Sequence, residues 1–430
     1  MEIKIIATLG PNSKSESVIS KLVKNGVDII RINTSHIKDE DELRDYFSKI
    51  RKISDSVSIL LDLPGPKLRT QNTEPIPIEK GKVYKIGENG DIKAEWEPLK
   101  GLKKDKILKI SDGKLQFKCL EVGNHFAIIK ALNSGVILEK QSINYSGITY
   151  KKGLTDLDLK FAKLAIKYNA DIIAMSFVRS KDEILELRRI VGEIPIIAKI
   201  EEEEGLKNIE EICDASDGIM VARGDLALNI KDMFTLPSIQ KKLIRVAKEK
   251  RKAAIVATQL LSSMVNNPYP LRAEILDVSN AIYEGADALM LSEETAIGKY
   301  PVESVKTLKR IINDYNDETL FVEPKDLNDK IAKAALDIAQ SESINYLIAI
   351  TRTGSTAIRL SIFGNKNIFA LVDNSYIYNR LKLYRNIIPI LKKSKDQIKE
   401  ILKSKKIKKT IIVGSEKEGG TTTYIKLEYL

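Results

Sequence analysis

The sequence of 430 residues has few cysteines, few aromatic residues and no long apolar run. Its only cysteines are Cys119 and Cys213, and neither stands in a spacing typical of a metal or redox site. We therefore expect no structural disulfides and a reducing compartment, which predicts a cytoplasmic protein. No run approaches the roughly 18 apolar residues of a membrane helix, and no signal-peptide pattern precedes the first predicted strand. The sequence predicts no membrane partner.

Positive charge is in excess, with a formal net charge of +11. An excess of positive charge is typical of proteins that bind nucleic acid. However, there is a single tryptophan, and aromatic residues are not interleaved with basic ones. Much of the lysine lies beside glutamate on predicted helices, and the densest run, 392–409, is typical of the solvated face of one late helix. We predict no nucleic-acid partner.

Eight short apolar runs, rich in Ile, Val, Ala and Leu, alternate with amphipathic stretches of helical length. Such runs are typical of strands buried on both faces of a parallel sheet. They lie at 3–9, 27–32, 57–63, 171–178, 195–200, 217–222, 253–257 and 287–291. Eight strand–helix units predict an α/β fold, a (β/α)8 TIM barrel, whose chemistry lies at the C-terminal ends of the strands. Those ends carry Arg31, Asn33, Asp62, Ser176, Lys199, Glu201, Arg223, Asp225, Thr258 and Glu294.

The barrel pattern is interrupted after its third strand. Between residues 67 and 153 the sequence changes to short alternating pieces separated by glycines, which predicts an inserted small β-barrel domain that acts as a lid. Residues 1–66 and 154–318 form the two parts of the barrel. After a polar joint, residues 325–430 alternate strand and helix again, which predicts a C-terminal α/β domain for regulation or oligomerisation.

Two carboxylates end consecutive predicted strands, Glu201 and Asp225. Neighbouring strand ends bring them close enough to share a hard cation, and Mg²⁺ typically takes one or two carboxylates plus substrate oxygens. The alternative is that both are ordinary acids at helix starts. Lys199 and Arg223 flank the pair and favour the metal-site interpretation.

Lys199 lies two residues before Glu201, so both side chains point to the same side of a strand. An ammonium in a barrel mouth is costly unless it meets an anion. Beside a metal ion it is suited to stabilising a phosphoryl group in transfer. Arg31 and Arg69 add forked donors for phosphate, and the backbone of 222–225 can receive a carboxylate. These residues predict an enzyme for an anionic, metal-bound substrate.

Several segments together resemble the pyruvate kinases, in the same order and over nearly the whole chain. They are 3–13 (IKIIATLGPNS), 27–36 (VDIIRINTSH), 61–69 (LDLPGPKLR), 196–201 (IIAKIE), 218–225 (GIMVARGD), 257–261 (ATQLL), 272–274 (RAE) and 290–296 (MLSEETA). The resemblance implies phosphate transfer from phosphoenolpyruvate to ADP, giving pyruvate and ATP in the last step of glycolysis. It also implies a homotetramer.

The resemblance assigns roles to the strand-end residues. Lys199 would stabilise the transferring phosphoryl group and the enolate, and Glu201 and Asp225 would hold Mg²⁺ or Mn²⁺. Of the other implied catalytic residues, Arg31 would bind phosphate. Thr258, Ser292 and Glu294 would contact the water that protonates the enolate. The implied substrate site contains Arg31, Arg69, Ser176, Lys199, Ala222, Arg223, Gly224, Asp225 and Thr258. The implied ADP/ATP site contains Asn33, His36 and Arg69.

The segment 61–69 departs from the family members that need K⁺. Their monovalent-cation site is matched here by Asn33, Ser35, Asp62 and Leu63. A family glutamate is replaced by Lys67, whose tethered ammonium can supply the charge of the cation. This resembles the K⁺-independent, archaeal-like branch, so we expect that catalysis needs little or no added K⁺.

The loop Thr351-Arg352-Thr353-Gly354-Ser355-Thr356 joins a predicted strand to a helix in the C-terminal domain. Such a loop can hold phosphate on N–H groups and hydroxyls, although it is also an ordinary helix cap. The family's matching loop binds a phosphorylated effector, and 419–423 resembles the second half of that pocket. A phosphorylated effector is therefore the expected partner of this loop.

Two other functions stay open from the sequence. One is a metal-dependent lyase for phosphoenolpyruvate or oxaloacetate on a similar barrel, which would not require the inserted domain or the third domain. The other is a non-catalytic paralogue, including a nucleic-acid binder. The intact Lys199, Glu201, Asp225 and Thr258 argue against lost catalysis.

Overall fold

A computed structural model of the chain describes residues 2–148, 153–314, 322–391, 397–414 and 424–429. The first strand–helix units are β1 (Lys4–Thr8), α1 (Glu16–Lys24), β2 (Ile29–Asn33), α2 (Glu40–Ile53) and β3 (Ser58–Asp62). Ser15 caps α1 by accepting from the N–H of Val18, and Asp39 caps α2 by accepting from the N–H of Glu42. These caps satisfy N–H groups that have no partner inside the helix.

The inserted domain follows β3 and is built of strands, as predicted. They are β4 (Ile76–Ile78), β5 (Val83–Gly87), β6 (Ile92–Lys93), β7 (Ile107–Ile110), β8 (Leu115–Val122), β9 (Phe126–Ala131), β10 (Gly135–Ile137) and β11 (Ile143–Asn144). Among the described residues they form a six-stranded sheet, in the order β11-β7-β8-β9-β5-β6, and a separate β10–β4 ribbon. The strands are thus divided between two pieces of sheet and do not make one closed ring. The domain has its own apolar core.

The barrel resumes after the insertion. Its strands are β12 (Ile172–Met175), β13 (Ile196–Ile200), β14 (Gly218–Ala222), β15 (Ala253–Ala257) and β16 (Ala288–Leu291). Its helices are α3 (Asp156–Lys167), α4 (Lys181–Val191), α5 (Glu203–Lys207), α6 (Ile209–Ala215), α7 (Arg223–Asn229), α8 (Leu236–Glu249), α9 (Arg272–Tyr283), α10 (Glu293–Ala296) and α11 (Pro301–Asp314). Short 3₁₀ helices lie at Thr34–His36, Glu97–Leu99, Met233–Thr235 and Ser262–Val265.

Eight parallel strands close the barrel in the order β1-β16-β15-β14-β13-β12-β3-β2. The predicted TIM barrel is confirmed. The predicted strand 171–178 is shorter in the structure because Phe177 has a positive φ of 56°, which turns the chain out of the sheet. Ser176 therefore lies just beyond the end of β12, at the mouth of the barrel.

At the opposite, N-terminal end, one aspartate precedes every second barrel strand: Asp28, Asp171, Asp217 and Asp287. The Oδ2 of each accepts the backbone N–H near the start of the preceding barrel strand, at N···O distances of 2.7 to 2.9 Å. Each also pairs with a cationic side chain; these are, in the same order, Lys4, Arg51, Arg188 and Lys248. The base of the barrel thus carries a fourfold repeat of one capping arrangement.

The C-terminal domain is a second α/β unit. Its elements are α12 (Leu327–Ser341), β17 (Tyr346–Ile350), α13 (Ser355–Phe363), β18 (Asn367–Val372), α14 (Ser375–Leu381), β19 (Ile387–Leu391), α15 (Gln397–Ser404), β20 (Lys409–Gly414) and β21 (Tyr424–Tyr429). The sheet order is β19-β18-β17-β20-β21, with β21 antiparallel. The predicted α/β domain is confirmed. No helix among the described residues is long and apolar enough to cross a membrane.

The C-terminal domain covers the base of the barrel. The hydroxyl of Tyr376 donates to Asp217 Oδ1 at 2.6 Å, and the N–H of Arg385 donates to Asp287 Oδ1 at 3.3 Å. Residues of the barrel lumen and of this domain belong to one apolar cluster. The base is therefore closed by protein, and the open end of the barrel is the end that faces the lid.

Candidate active site

Lys199 lies at the centre of a buried ionic cluster at the open end of the barrel. Its Nζ is 3.1 Å from Asp62 Oδ1, 2.7 Å from Ser176 Oγ and 3.2 Å from Glu201 Oε1. Burial works against the charge, but Asp62 and Glu201 outweigh it, so the pKa of Lys199 lies above its usual value. Lys199 is a fixed cation at neutral pH.

Asp62 connects Lys199 to Arg31. Arg31 donates from Nε and a terminal nitrogen to Asp62 Oδ2, at 2.7 and 2.6 Å, and from its other terminal nitrogen to Thr8 Oγ1 at 3.0 Å. Burial opposes the charge on Asp62, but Lys199 and Arg31 outweigh it, and the pKa of Asp62 falls below its ordinary value. One carboxylate, at the end of β3, thus holds a cation from β2 and a cation from β13 together.

Glu201 is buried, and its surroundings disfavour the charged form of its carboxyl group. It is 1% exposed and accepts the N–H of Phe177 at 2.7 Å through Oε2. Burial raises its pKa, Lys199 works in the opposite direction, and the negative charges of Asp225 and Asp62 raise it further. A cation between Glu201 and Asp225 would remove this cost.

Asp225 stands in the first turn of α7 and pairs with Lys67 of the inserted domain. The Nζ of Lys67 is 2.6 Å from Asp225 Oδ1 and 4.0 Å from Asp112 Oδ1. Lys67 therefore reaches the second of the two predicted metal ligands. The sequence placed it instead at the monovalent-cation position.

Thr258 brings the ends of β14 and β15 together. It has a positive φ of 68°, and its Oγ1 accepts the N–H of Gly224 at 2.8 Å. The guanidinium of Arg223 turns away to Asp277 and to the carbonyls of Thr258 and Gln259. Within 222–225, the backbone and Asp225 face the site, and the Arg223 side chain braces it.

Glu294 and Ser292 follow the last barrel strand. Both oxygens of Glu294 accept backbone N–H groups, from Ser292 at 2.8 Å and from Leu261 at 3.0 Å. Glu294 therefore ties the loop after β16 to the loop after β15. Ser292 Oγ is buried and has no hydrogen-bond partner within the described part of the chain, which leaves this hydroxyl available to a ligand.

Comparison with known proteins places this arrangement in a family. The model of the pyruvate kinase barrel domain matches residues 1–305, and that of the pyruvate kinase alpha/beta domain matches residues 329–426. The chain belongs to the pyruvate kinase family. Within that family it is a phosphotransferase.

Two curated pyruvate kinases illustrate the similarity of sequence. The one from Thermotoga maritima is 34% identical, with 97% of this chain and 94% of that protein covered. The one from Thermoplasma acidophilum is 37% identical, with 91% and 73% covered. A solved pyruvate kinase structure from Cryptosporidium parvum has a TM-score of 0.88 at 28% identity, covering 100% of this chain and 96% of that one. The similarity thus extends over both domain types.

A divalent metal, which the pyruvate kinase family requires, fits the donor set of the site. Glu201 and Asp225 supply hard oxygen donors from adjacent strand ends, and the charge of Asp225 contributes to the raised pKa of Glu201. No group of three or more potential metal-ligating side chains occurs among the described residues.

The predicted nucleotide side of a pyruvate kinase site lies at the edge of the mouth. Arg69 donates to the carbonyl of Lys140 at 3.0 Å and, with Lys67, lines a cavity of about 730 Å³ beside the inserted domain. Partial burial and the charges of Arg69 and Arg31 lower the pKa of His36. Asn33 Oδ1 accepts the N–H of Ser35, and the Leu63 carbonyl accepts Ser176 Oγ at 2.7 Å.

The proposed effector loop lies far along the chain, between β17 and α13. Gly354 occupies a left-handed conformation at the N-cap of α13, with φ 79°. Ser355 Oγ accepts from Arg359, whose guanidinium also binds Asp329 at 2.8 Å and Asp326 at 2.9 Å. Residues 419–423, the other predicted half of the pocket, lie outside the described residues.

Some functional residues had no signal in the sequence. Thr8, which orients Arg31, and Asn229, which donates to the Glu201 carbonyl at 3.0 Å, belong to common residue types in unremarkable patterns. Asp62 was predicted only as a ligand for a monovalent cation. Only the packing of strand ends shows that it holds Arg31 and Lys199 together.

Proposed function

We propose that this chain transfers the phosphoryl group of phosphoenolpyruvate to ADP in the last step of glycolysis. The observation that carries the proposal is the Lys199 ammonium, held between Asp62, Ser176 and Glu201 next to the Arg31 guanidinium. Phosphoryl transfer is catalysed chiefly by positioning and by cations placed where charge develops. Two cations fixed by one buried carboxylate meet that requirement.

In the proposed mechanism, Arg31 and Arg69 bind phosphate oxygens, and Ser176 contacts the same group. Lys199 neutralises the phosphoryl group in transfer and the enolate that remains. Asp62 keeps Arg31 and Lys199 in place before substrate arrives, so little reorganisation accompanies the reaction. Glu201 and Asp225 would hold Mg²⁺, or Mn²⁺, which supplies charge neutralisation to enolate and phosphate oxygens when bound.

The substrate carboxylate is received by the backbone of Ala222–Asp225, next to Thr258. Protonation of the enolate then uses water held by Thr258 and Ser292. The buried Ser292 hydroxyl, which has no hydrogen-bond partner among the residues that the structure describes, supports this role. Glu294 acts by positioning the Ser292 loop, because both of its oxygens accept backbone N–H groups.

ADP is bound on the side of Arg69, His36 and Asn33. Because its pKa is lowered, His36 is neutral at pH 7 and does not add to the positive charge. The inserted domain, 67–153, closes over this side as a lid. The other domain limits stay as proposed from the sequence: 1–66 with 154–318 for the barrel, and 325–430 for the C-terminal domain.

Turnover is independent of added K⁺. In support, Lys67 supplies a tethered ammonium 2.6 Å from Asp225, so the protein itself adds a positive charge to the site without added K⁺. Replacing tetramethylammonium by K⁺ in the assay should change kcat by less than about twofold. A large gain in rate with K⁺ would contradict this assignment.

The proposal extends to regulation, assembly and location. The Thr351–Thr356 loop binds a phosphorylated effector. It lies at the N-terminus of α13, where backbone N–H groups and hydroxyl groups can bind phosphate. A homotetramer is supported by apolar side chains left exposed around α9, among them Tyr269, Leu271 and Leu276. The two buried cysteines, Cys119 and Cys213, are free, which supports a cytoplasmic location.

The test is pyruvate formation from phosphoenolpyruvate and ADP with Mg²⁺, in wild type and in Lys199→Met. We expect robust turnover in the wild type and a loss of several orders of magnitude in the variant. A wild type that forms no pyruvate, with or without K⁺, would overturn the proposal. Pyruvate formation that does not require ADP would favour a lyase instead.

A further inference from the structure

Helix α7 is contacted by residues of the lid at both of its ends. We propose that Lys109, Asn144 and Asn229 form a latch that couples closure of the inserted domain to the position of Asp225, so that the lid assembles the metal site as it docks. The inference rests on the proposed function, since it assigns positioning residues for that reaction. No feature of the sequence indicated the latch.

Lys109, on lid strand β7, reaches the C-terminal end of α7. Its Nζ donates to the carbonyls of Ala227 and Leu228, at 3.4 and 3.2 Å. The last carbonyls of a helix have no partner within the helix, and its C-terminal end carries partial negative charge. An ammonium from the lid therefore completes hydrogen bonding that α7 cannot complete by itself.

Asn144, on lid strand β11, makes the second contact. Its Nδ2 donates to Asn229 Oδ1 at 3.1 Å, and Asn229 Nδ2 donates in turn to the backbone carbonyl of Glu201 at 3.0 Å. Asn144 and Asn229 are almost fully buried. The last residue of α7 thus joins the lid to the strand end that bears the first proposed metal ligand.

The lid backbone also packs on α7 between these two contacts. A Cβ added at Gly113 would lie 2.8 Å from Leu228 Cδ2, and Gly113 has a φ of +82°. The turn favours glycine because of its left-handed conformation, and it lies against the Leu228 side chain of the helix. Lys67 binds the other end of α7 through Asp225.

These contacts fix a seven-residue helix whose first turn contains Asp225 and the Gly224 N–H. A lid that opens must give up the contacts of Lys109, Asn144, Gly113 and Lys67 together, and α7 then keeps only its attachments to the barrel. Position of the metal ligand and position of the lid are therefore linked. Weakening the latch lowers the fraction of protein that is ready to bind substrate, which raises the apparent dissociation constant in proportion.

The experiment compares full-length wild type with Lys109→Met and Asn144→Ala. Without ligands, we expect amide hydrogen exchange in 223–229 to rise about tenfold in each variant, because a charged or fully buried hydrogen bond is lost. With Mg²⁺ and ADP, KM for phosphoenolpyruvate should rise about fivefold while kcat stays within about twofold. Lys109→Arg should restore both values, since a guanidinium also donates to carbonyls.

The matched control is Lys114→Met, which removes an exposed lysine from the same domain and should behave as wild type. The double variant should show less than the sum of the two single effects, because both act on one helix. Unchanged exchange in 223–229, or an equal rise in Lys114→Met, would overturn the latch. Faster exchange in a protein that makes no pyruvate would uphold the latch and refute the proposed function.

Discussion

The two ends of the barrel both bury charged side chains, but they satisfy them differently. At the base, each of four aspartates accepts a backbone N–H from a neighbouring barrel strand and also pairs with a cationic side chain. At the mouth, both oxygens of Asp62 are taken by side-chain cations, Arg31 and Lys199. Backbone donors anchor the charges at the base, whereas the charges at the mouth mainly hold one another.

This difference separates a structural use of buried charge from a functional one. At the base, each carboxylate stabilises the strands that it caps, because its oxygens are shared between a backbone N–H and a cationic side chain. Cations that share one carboxylate can turn to an incoming anion, because only side chains have to adjust. Stability should therefore depend mostly on the base, and catalysis on the mouth.

Loss of a charge at the mouth should have the largest effect. Glu201→Gln removes a proposed metal ligand and should lower kcat/KM by about a thousandfold, roughly 4 kcal/mol of transition-state stabilisation. Unfolding in urea should show equal or higher stability, since burial raises the pKa of this carboxyl. The exposed Glu210→Gln is the control. A fully active Glu201→Gln would remove the metal site from the mechanism.

Loss of a charge at the base should affect stability next most strongly. Asp287→Asn leaves Lys248, which is 1% exposed, as an unpaired buried cation, at a cost of about 3 kcal/mol in the free energy of unfolding. Turnover per folded molecule should be unchanged. Asp214→Asn, at an exposed pair with Lys250, should cost less than about 1 kcal/mol. Equal losses of unfolding free energy at both positions would show that the buried ion pairs at the base of the barrel stabilise the protein no more than exposed pairs do.

A smaller effect is the pH dependence of stability that Lys248 causes at the base of the barrel. Burial lowers the pKa of Lys248 to about 8, against the opposing charge of Asp287. The unfolded chain holds this proton up to about pH 10.4, so it binds more protons than the folded protein between these values. Stability therefore rises with pH in this window, by up to about 1.4 kcal/mol per unit.

The contribution of Lys248 to this pH dependence is isolated by subtracting the unfolding free energy of a variant that lacks the lysine from that of the wild type. The difference in unfolding free energy between wild type and Lys248→Met should increase from pH 7.5 to 9.5, because only the wild type is relieved of a buried charge. Chemical denaturation at several pH values measures it. A difference that stays constant over this range would place the pKa of Lys248 outside it.

The sequence predicted the parts of the molecule that have local signatures. The barrel strands were recognisable because continuous apolar runs mark strands covered on both faces. The lid strands β4, β6 and β11 have no such signature, because two or three residues show no alternation. Glu201, Asp225 and Lys199 were found because they end consecutive strands.

What depends on packing across the chain could not be predicted. Asp28, Asp171, Asp217 and Asp287 occur at unequal intervals, because an inserted domain and helices of different length separate them, so their repeat is visible only in space. Lys109 and Asn144 meet α7 across more than 80 residues of sequence. Each is an ordinary lysine or asparagine until the lid is docked.

The most direct test replaces one buried lysine at each end by methionine and measures two properties of each variant. Lys199→Met should lose turnover by several orders of magnitude with little loss of stability, because Asp62 retains Arg31 and Glu201 retains the N–H of Phe177. Lys248→Met should keep its turnover and unfold more easily at pH 7, because Asp287 loses its cation. Parallel losses of turnover and stability in both variants would contradict the division between the two ends.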